Sequence, residues 1–281
     1  MINLSSTISI PVVVAGALGK MGSQVVKTIV AANDCQLVGA IDTSKNKEGI
    51  DIGLELGLKE QEINITADFE GCLCQVSQLS AESGPAILVD FTHPRAAYEH
   101  TRISIAYGVY PVIGTTGLIP EQLVSLVELS KKASIGGALI PNFSIGMVLL
   151  QQAAAAAARF YDFAELTELH HNYKIDAPSG TCIKTAELIE ELDKSFNLQE
   201  VDEYESLAGC RGGKRESGLR IHSVRLPGLM AHQQVIFGAP GETYTLRHDT
   251  ISRSAYMPGV MLAIRKVRKL QSLVYGLERL L

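Results

Sequence analysis

Along the first half of the chain, unbroken apolar runs alternate with segments of helical period. Residues 8–15 read as a buried strand, 20–32 repeat their apolar residues at the helical period, and 35–41 form a second strand that stops at Asp42. That is a βαβ unit. The alternation continues with strands at 86–91, 109–113 and 135–140 and helices at 94–107 and 120–133. Continuous apolar strands separated by helices predict an α/β domain with a Rossmann-like, doubly wound parallel sheet.

After Asn142 the pattern changes. An Ala-rich helical segment is followed by a strand-like run at 163–170, a helix over 181–196, and strand-like runs at 219–225, 233–237 and 243–248. Ala239-Pro240-Gly241-Glu242 turns the last two runs into a hairpin. This predicts a second, α+β domain with a mostly open mixed sheet. The closing segment, 256–281, is apolar, basic and helix-periodic, and is expected to pack back on the first domain. The expected division is therefore 1–143, completed by a C-terminal helix segment at 252–281, with 144–251 as the second domain.

Composition narrows the function classes. The 281 residues are 46% hydrophobic, enough for two cores, and carry a net charge of −5. That balance argues against nucleic acid or an anionic membrane as the partner and favours a small soluble ligand. No apolar run has the length of a membrane span, and the N-terminus lacks the plan of a signal peptide, so a cytoplasmic protein is expected. The five cysteines, Cys35, Cys72, Cys74, Cys182 and Cys210, are odd in number and include no CxxC pair, and read as free, mostly buried thiols.

Gly16, Gly19 and Gly22 follow the first strand and open the first helix. A pyrophosphate must approach backbone amides at a helix start, where side chains are in the way. The spacing is GxxGxxG rather than GxGxxG, so a tight turn without a ligand is the competing reading. Asp42, at the end of the next strand, shifts the balance toward a dinucleotide because a carboxylate there can accept from an adenosine ribose. It would repel a 2′-phosphate, whereas Lys45 and Lys47 would attract one, so NADH and NADPH both stay open. Asp90-Phe91-Thr92-His93-Pro94 and Gly114-Thr115-Thr116-Gly117 also follow strands of this sheet, where ligand-lining loops lie.

In the second domain, His170 offers an imidazole for proton exchange and Lys174 can deliver a proton as a cation. Pro178-Ser179-Gly180-Thr181 precedes a helix, exposing amides and a hydroxyl to an anion such as a carboxylate. The competing reading is an ordinary strand end with a solvated lysine. Adjacent His170 and His171 lack a Cys or Asp at ligand spacing, and no metal site is expected.

Taken in order, Val14-Ala15-Gly16-Ala17-Leu18-Gly19-Lys20-Met21-Gly22, Val89-Asp90-Phe91-Thr92, Gly114-Thr115-Thr116-Gly117, Pro141-Asn142-Phe143-Ser144 and the run from Glu168 through His170, His171, Lys174 and Asp176 to Pro178-Ser179-Gly180-Thr181 resemble the 4-hydroxy-tetrahydrodipicolinate reductase (dihydrodipicolinate reductase) family. The resemblance covers nearly the whole chain. It implies NAD(P)H-dependent reduction of a small cyclic dicarboxylate, (2S,4S)-4-hydroxy-2,3,4,5-tetrahydrodipicolinate, to (S)-2,3,4,5-tetrahydrodipicolinate with loss of water, in lysine biosynthesis through diaminopimelate. It implies His170 as proton donor and acceptor, Lys174 as proton donor, and His171, Gly180 and Thr181 as substrate contacts. Cofactor contacts are implied at Gly16, Ala17, Leu18, Gly19, Lys20, Met21, Asp42, Gly114, Thr115, Thr116, Pro141, Asn142, Phe143 and Ser144. A homotetramer built through the sheet of the second domain is implied as well.

Some features depart from that pattern. Asn172 and Tyr173 stand where some relatives carry more basic residues, which leaves the anion site to lean on Lys174 and Arg225. Val224-Arg225-Leu226-Pro227-Gly228 replaces a glycine-rich turn, and the basic stretch 209–215 reads as a loop that is either solvated or closes over substrate. Hinges are expected near 142–146 and 251–254 if nicotinamide and substrate sit on different domains. Two other classes remain: an acylating aldehyde dehydrogenase, which needs a poised cysteine that no motif here supplies, and a catalytically silent NADPH-binding sensor.

Overall fold

Strands buried on both faces need side chains that carry no polar group, and the first strand is Ile-Pro-Val-Val-Val-Ala with Val12, Val13 and Val14 wholly buried. The structure, a computed structural model, describes residues 9–78, 83–198 and 203–281. It divides into two compact units, Met1–Phe143 with Tyr256–Leu281, and Ser144–Ala255. In the first, β1 (Ile10–Ala15) leads into α1 (Gly22–Ala31) and β2 (Cys35–Ile41), as the apolar period predicts. The short α2 (Ile52–Glu55), β3 (Ile65–Thr66) and α3 (Phe69–Gln78) follow, and none of the three is announced by a long periodic run. Asp51 caps α2 by accepting from Leu54 N at 3.0 Å and also takes the amides of Gln61 and Ile63. Then come β4 (Ile87–Asp90), α4 (Pro94–Ala106), β5 (Tyr110–Ile113), α5 (Pro120–Ala133) and β6 (Gly137–Leu139). Pro94 and Pro120 open their helices, where a missing N–H costs nothing.

The second unit begins with α6 (Ile145–Ala157), capped by Ser144, and continues through β7 (Phe163–His170) and α7 (Gly180–Glu190), capped by Ser179. The last helix is shorter than its predicted span of 181–196. Phe196 is instead a fully buried core residue. Strands β8 (Gly213–Lys214), β9 (Arg220–Arg225), β10 (Ala231–Ala239) and β11 (Glu242–Thr250) complete a mixed five-stranded sheet in the order β11-β10-β7-β9-β8. The hairpin turn lies at Pro240-Gly241, with Ala239 paired to Glu242 and Gly241 in the left-handed region. One face of the sheet packs Ala164, Leu166, Val235 and Phe237 against Leu150, Ala154, Ala186 and Ile189 of the two helices.

The closing segment corrects the expectation of a helix. It starts as α8 (Met257–Lys266), but after one turn of 3-10 helix it becomes a strand, β12 (Leu273–Tyr275), parallel to β6. The polar pair Gln271-Ser272 interrupts the apolar run, and Leu-Val-Tyr suits a sheet edge. Residues 252–255 belong to the second unit rather than to this segment. The first sheet is wholly parallel in the order β12-β6-β5-β4-β1-β2-β3. The chain reverses its direction of sheet growth between β1 and β4, where a doubly wound fold opens its ligand crevice. Among the described residues no helix is long and apolar enough to cross a membrane, and no cluster of His, Cys, Asp or Glu could hold a metal.

Asp90, at the end of β4, is wholly buried and ties this crevice together. Its Oδ1 accepts from the Thr92 amide (2.8 Å), the Thr92 hydroxyl (2.7 Å) and the Thr115 hydroxyl (3.3 Å), and its Oδ2 lies 2.6 Å from His100 Nδ1. The His100 ring stacks on Phe69 at 3.8 Å. Asp90→Ala strands these donors without acceptors, and urea unfolding should show a loss of about 3 kcal/mol. A midpoint within error of the wild type would contradict this account of the crevice.

Candidate active site

In the first unit the glycine segment is shaped by close backbone contacts. Gly16 has φ of +75°, and a Cβ there would lie 2.8 Å from Phe91 O. A Cβ on Gly22 would overlap Gly16 O, so any side chain would push the helix off its strand. Gly16 and Ala17 donate to Ile41 O, and Gly19 donates to Gly16 O, which curls the turn over the ends of β1 and β2. α1 then starts with no side chain capping its first turn. Backbone amides with room beside them at a helix start are what a pyrophosphate needs, so the residues present fit a dinucleotide.

Asp42 is fixed against this turn. Its Oδ2 accepts from the Leu18 amide at 3.0 Å, and its Oδ1 accepts from the Ser44 amide (3.1 Å) and hydroxyl (2.7 Å). Gly114 packs so closely against the Phe91 ring that a Cβ would overlap it, and Phe91 meets Phe143 at 5.4 Å between ring centroids. The expected segments around Gly16, Asp42, Gly114, Thr115 and Phe143 therefore share one end of one sheet. Lys47 is engaged by Glu55 at 2.9 Å. Ser144 stands apart in role: it starts the second unit, where its hydroxyl caps α6 through Met147 N and lies 3.2 Å from His248 Nε2. Burial pushes the His248 imidazole down from its ordinary value.

The second unit assembles the two candidate proton carriers, His170 and Lys174, at the end of β7. Alternation along this strand puts Ala164, Leu166 and Glu168 on the core face, and Glu168 is only 1% exposed. His170 follows on the same face, and its Nδ1 is hydrogen-bonded to Glu168 Oε2. Arg225, paired in register with His170 on β9, grips the same carboxylate with Nη1 to Oε2 at 2.9 Å and Nη2 to Oε1 at 2.7 Å. Its Nη2 also donates to the carbonyl of Asp176 at 2.8 Å. The Asp176 carboxylate in turn holds Lys174 Nζ at 2.7 and 2.9 Å. Lys174 beside it holds that carboxyl below the usual range. His171 is exposed and turns back toward Tyr173, with ring centroids 6.4 Å apart. Ser179 accepts from Cys182 N to cap α7, leaving Gly180 exposed and Thr181 partly exposed at the helix start.

Two expectations change here. Arg225 is consumed by Glu168 and Asp176, with its Nε buried and unpartnered, so it braces the site rather than offering a free cation. The basic stretch at 209–215 is bound down: Arg211 pairs with Glu165 at 2.6 Å, Arg215 with Glu190 at 2.7 Å, and Gly213–Lys214 joins the sheet. Glu168 enters the sequence reading only as the first residue of its motif. A carboxylate at a core-facing position of an alternating strand is the signal that marks it.

Residues 10–143 match the family described as "Dihydrodipicolinate reductase, N-terminus", and residues 146–281 match its C-terminus. The chain belongs to the dihydrodipicolinate reductase family. Among its relatives, a 4-hydroxy-tetrahydrodipicolinate reductase of Synechococcus sp. (strain CC9605) is 76% identical, covering 98% of this chain and 100% of the relative. One of Prochlorococcus marinus (strain MIT 9313) is 70% identical over 97% of each. A solved structure, the dipicolinate-bound dihydrodipicolinate reductase from Paenisporosarcina sp. TG-14, superposes with a TM-score of 0.85 at 37% identity, covering 97% of this chain and 100% of that one. An amine dehydrogenase from Mycobacterium smegmatis, 17% identical with a TM-score of 0.66 over 96% of this chain and 95% of that one, shares the fold. The reductase is thus an NAD(P)H-dependent oxidoreductase.

Charge is kept at the heart of the reductase's second unit by opposing effects on Glu168. Burial raises its proton affinity, but hydrogen bonds from His170, Arg225 and Ser223 outweigh burial and bring the carboxyl down to about 2. Because the folded value lies below the ordinary 4.5, the unfolded chain binds the proton first as pH falls. The stabilisation is complete above about pH 4.5 and is lost as pH falls toward 2. Urea unfolding of wild type and Glu168→Gln should therefore give a stability gap that narrows as pH falls below 4.5. A gap that is unchanged down to pH 3 would contradict this assignment.

Proposed function

We propose that the protein reduces (2S,4S)-4-hydroxy-2,3,4,5-tetrahydrodipicolinate to (S)-2,3,4,5-tetrahydrodipicolinate, through the residues gathered at the end of β7. Its activity is that of 4-hydroxy-tetrahydrodipicolinate reductase, in lysine biosynthesis. The reaction consumes NAD(P)H and one proton, and releases NAD(P)⁺ and water. The observation that carries the site assignment is the chain of contacts from His170 through Glu168, Arg225 and Asp176 to Lys174. It holds two proton-bearing groups beside a helix start, on a unit separate from the glycine turn.

The first unit binds the dinucleotide. Gly16, Ala17, Leu18, Gly19, Lys20 and Met21 offer the turn for the pyrophosphate, and Asp42 faces the ribose. Gly114, Thr115, Thr116, Pro141, Asn142 and Phe143, with Ser144 at the start of the second unit, would complete the cofactor contacts. When bound, the cofactor supplies the hydride. His171, Gly180, Thr181 and the first amides of α7 receive a carboxylate of the substrate. A Cβ on Gly180 would meet nothing within 4 Å, so packing within the chain does not require glycine there. Room for a close ligand does. Lys174 Nζ stabilises the electron-rich ring and gives up a proton, and His170 carries a proton at Nε2. The bound dipicolinate of the Paenisporosarcina relative supports a ring dicarboxylate as the ligand class. The reading of a silent sensor has no comparable support.

With the substrate made in place by the preceding synthase and nicotinamide oxidation followed by absorbance, His170→Gln and Lys174→Ala should each lose roughly 10²-fold in kcat while nucleotide Kd stays near wild type. Wild-type protein that binds NADPH or NADH without turning over the substrate would sink the enzymatic reading. A loss confined to nucleotide affinity would move the two residues out of the chemistry.

The protein also acts as a cytoplasmic homotetramer. Free cysteines used as packing residues, with Cys35, Cys72 and Cys182 buried, suit a reducing compartment. In the second unit, the sheet face opposite its two helices is left to Glu165, Thr167, Leu169, Gln234 and Ile236, all partly exposed. Such a face supports association through the sheet. Light scattering should give a mass four times that of the 30.3 kDa chain. A monomer at micromolar concentration would refute the assembly.

A further inference from the structure

We infer that Glu168 is a positioning residue of the reaction: it fixes which nitrogen of His170 exchanges the proton and, through Arg225, holds the Lys174 loop in register with it. This rests on the reductase reading above. Glu168 is remote from solvent at 1% exposure, and its two oxygens serve His170 Nδ1 and the two Nη atoms of Arg225, with a further hydrogen bond from Ser223. With the carboxylate on Nδ1, a neutral His170 keeps its proton on that nitrogen. Nε2 is then the ring nitrogen that takes and gives the catalytic proton. The same anion stabilises the imidazolium form.

The second half of the device is Arg225. One guanidinium spans a core carboxylate on β7 and the Asp176 carbonyl in the loop that carries Lys174. Asp176 and Lys174 then pair through their side chains. The two proton carriers are four residues apart along the chain, and this bridge makes their separation a property of the sheet rather than of a free loop. Among the described residues, strand register and the adjoining loop bring the following polar groups to the end of β7 that carries His170. On its own strand and the adjoining loop they are Glu168, His171, Lys174 and Asp176. β9 contributes Ser223 and Arg225, and β10 contributes Gln233 and His232. Gln233 donates to Thr185, and the His232 imidazole is paired with Asp249, so Glu168 is the anion bonded to the His170 ring.

A buried ion pair that only fills the core would give a different outcome from a positioning pair, and Glu168→Gln separates them because it keeps the shape and removes the charge. We expect kcat to fall about 10- to 10²-fold, the KM for the dinucleotide to stay within about twofold, and the alkaline limb of kcat/KM to move about one unit lower in pH. Glu168→Asp keeps the charge and should leave the limb where the wild type has it. Superimposable pH profiles for wild type and Glu168→Gln would overturn the proposal, as would a uniform loss at every pH that tracks a loss of folded protein.

A reading that needs no turnover covers the case in which Glu168→Gln does not fold. The ¹⁵N shifts of the wild-type imidazoles in the free protein, with His170 identified by its absence from His170→Gln, report the tautomer. The proton should lie on Nδ1 of neutral His170. A proton on Nε2 would overturn the proposal even if the enzyme is active. Conversely, an Nδ1 tautomer in a protein without reductase turnover would leave the positioning intact while the reaction assigned to the site failed.

Discussion

A carboxylate taken out of water must be repaid by hydrogen bonds and opposite charge, and Glu168 sets the terms for the whole second unit. The period of β7 leaves it no choice of side: Ala164 and Leu166 pack into the core, and the next residue of that parity goes with them. The compensation comes from two directions, the strand end at His170 and the neighbouring strand at Arg225. An apolar trio of similar volume would cost no desolvation, and such replacements elsewhere are often neutral or stabilising. Retaining the charges here has a use that stability does not explain, which is to fix the orientation of an imidazole and the path of a loop.

The first unit solves a different problem with backbone instead of charge. Parallel strands that end close together crowd their loops, and the absence of Cβ atoms at Gly16, Gly22 and Gly114 lets the turn, the helix and the Phe91 loop pass one another. The same close passage leaves helix-start amides open to an anion. Asp90 then fixes the β4 loop to the β5 loop from below. This part of the architecture is common property: an amine dehydrogenase only 17% identical shares the fold across 96% of this chain. Fold alone therefore says little about the reaction. In this chain the chemistry-bearing side chains of the second unit are grouped on β7, β9 and the turn before α7.

The regular parts of the molecule are legible in the sequence because long periodic runs dominate local choice. β1, α1, β2, α4, α5 and the β10–β11 hairpin lie close to where apolar spacing and Pro-Gly turns put them. Residues 43–78 are not legible, since α2 is four residues long and β3 only two, and both are held by contacts such as those of Asp51 rather than by propensity. The end of the chain misleads because Val267 to Leu281 has apolar residues at spacings a helix or a sheet edge can use, and the free edge of β6 decides between them. Within the site, the motif residues are visible as chemistry-bearing types. Their supports are not: Arg225 is far from Glu168 in sequence, and only strand register brings them together.

The two carboxylates that pair with His170 and Lys174 are unequal. Glu168 is sealed in the core, while the Asp176 side chain is 59% exposed. An exposed ion pair contributes about 0–1 kcal/mol, so Lys174 can leave Asp176 at little cost. His170 has no such freedom, because separating it from Glu168 leaves a buried charge short of a donor. The Lys174 side chain is thus free to move and His170 is held still. Arg225 connects the two without equalising them: it binds the Glu168 side chain but only the backbone of Asp176, so the loop stays in place when the Asp176 carboxylate lets go of Lys174.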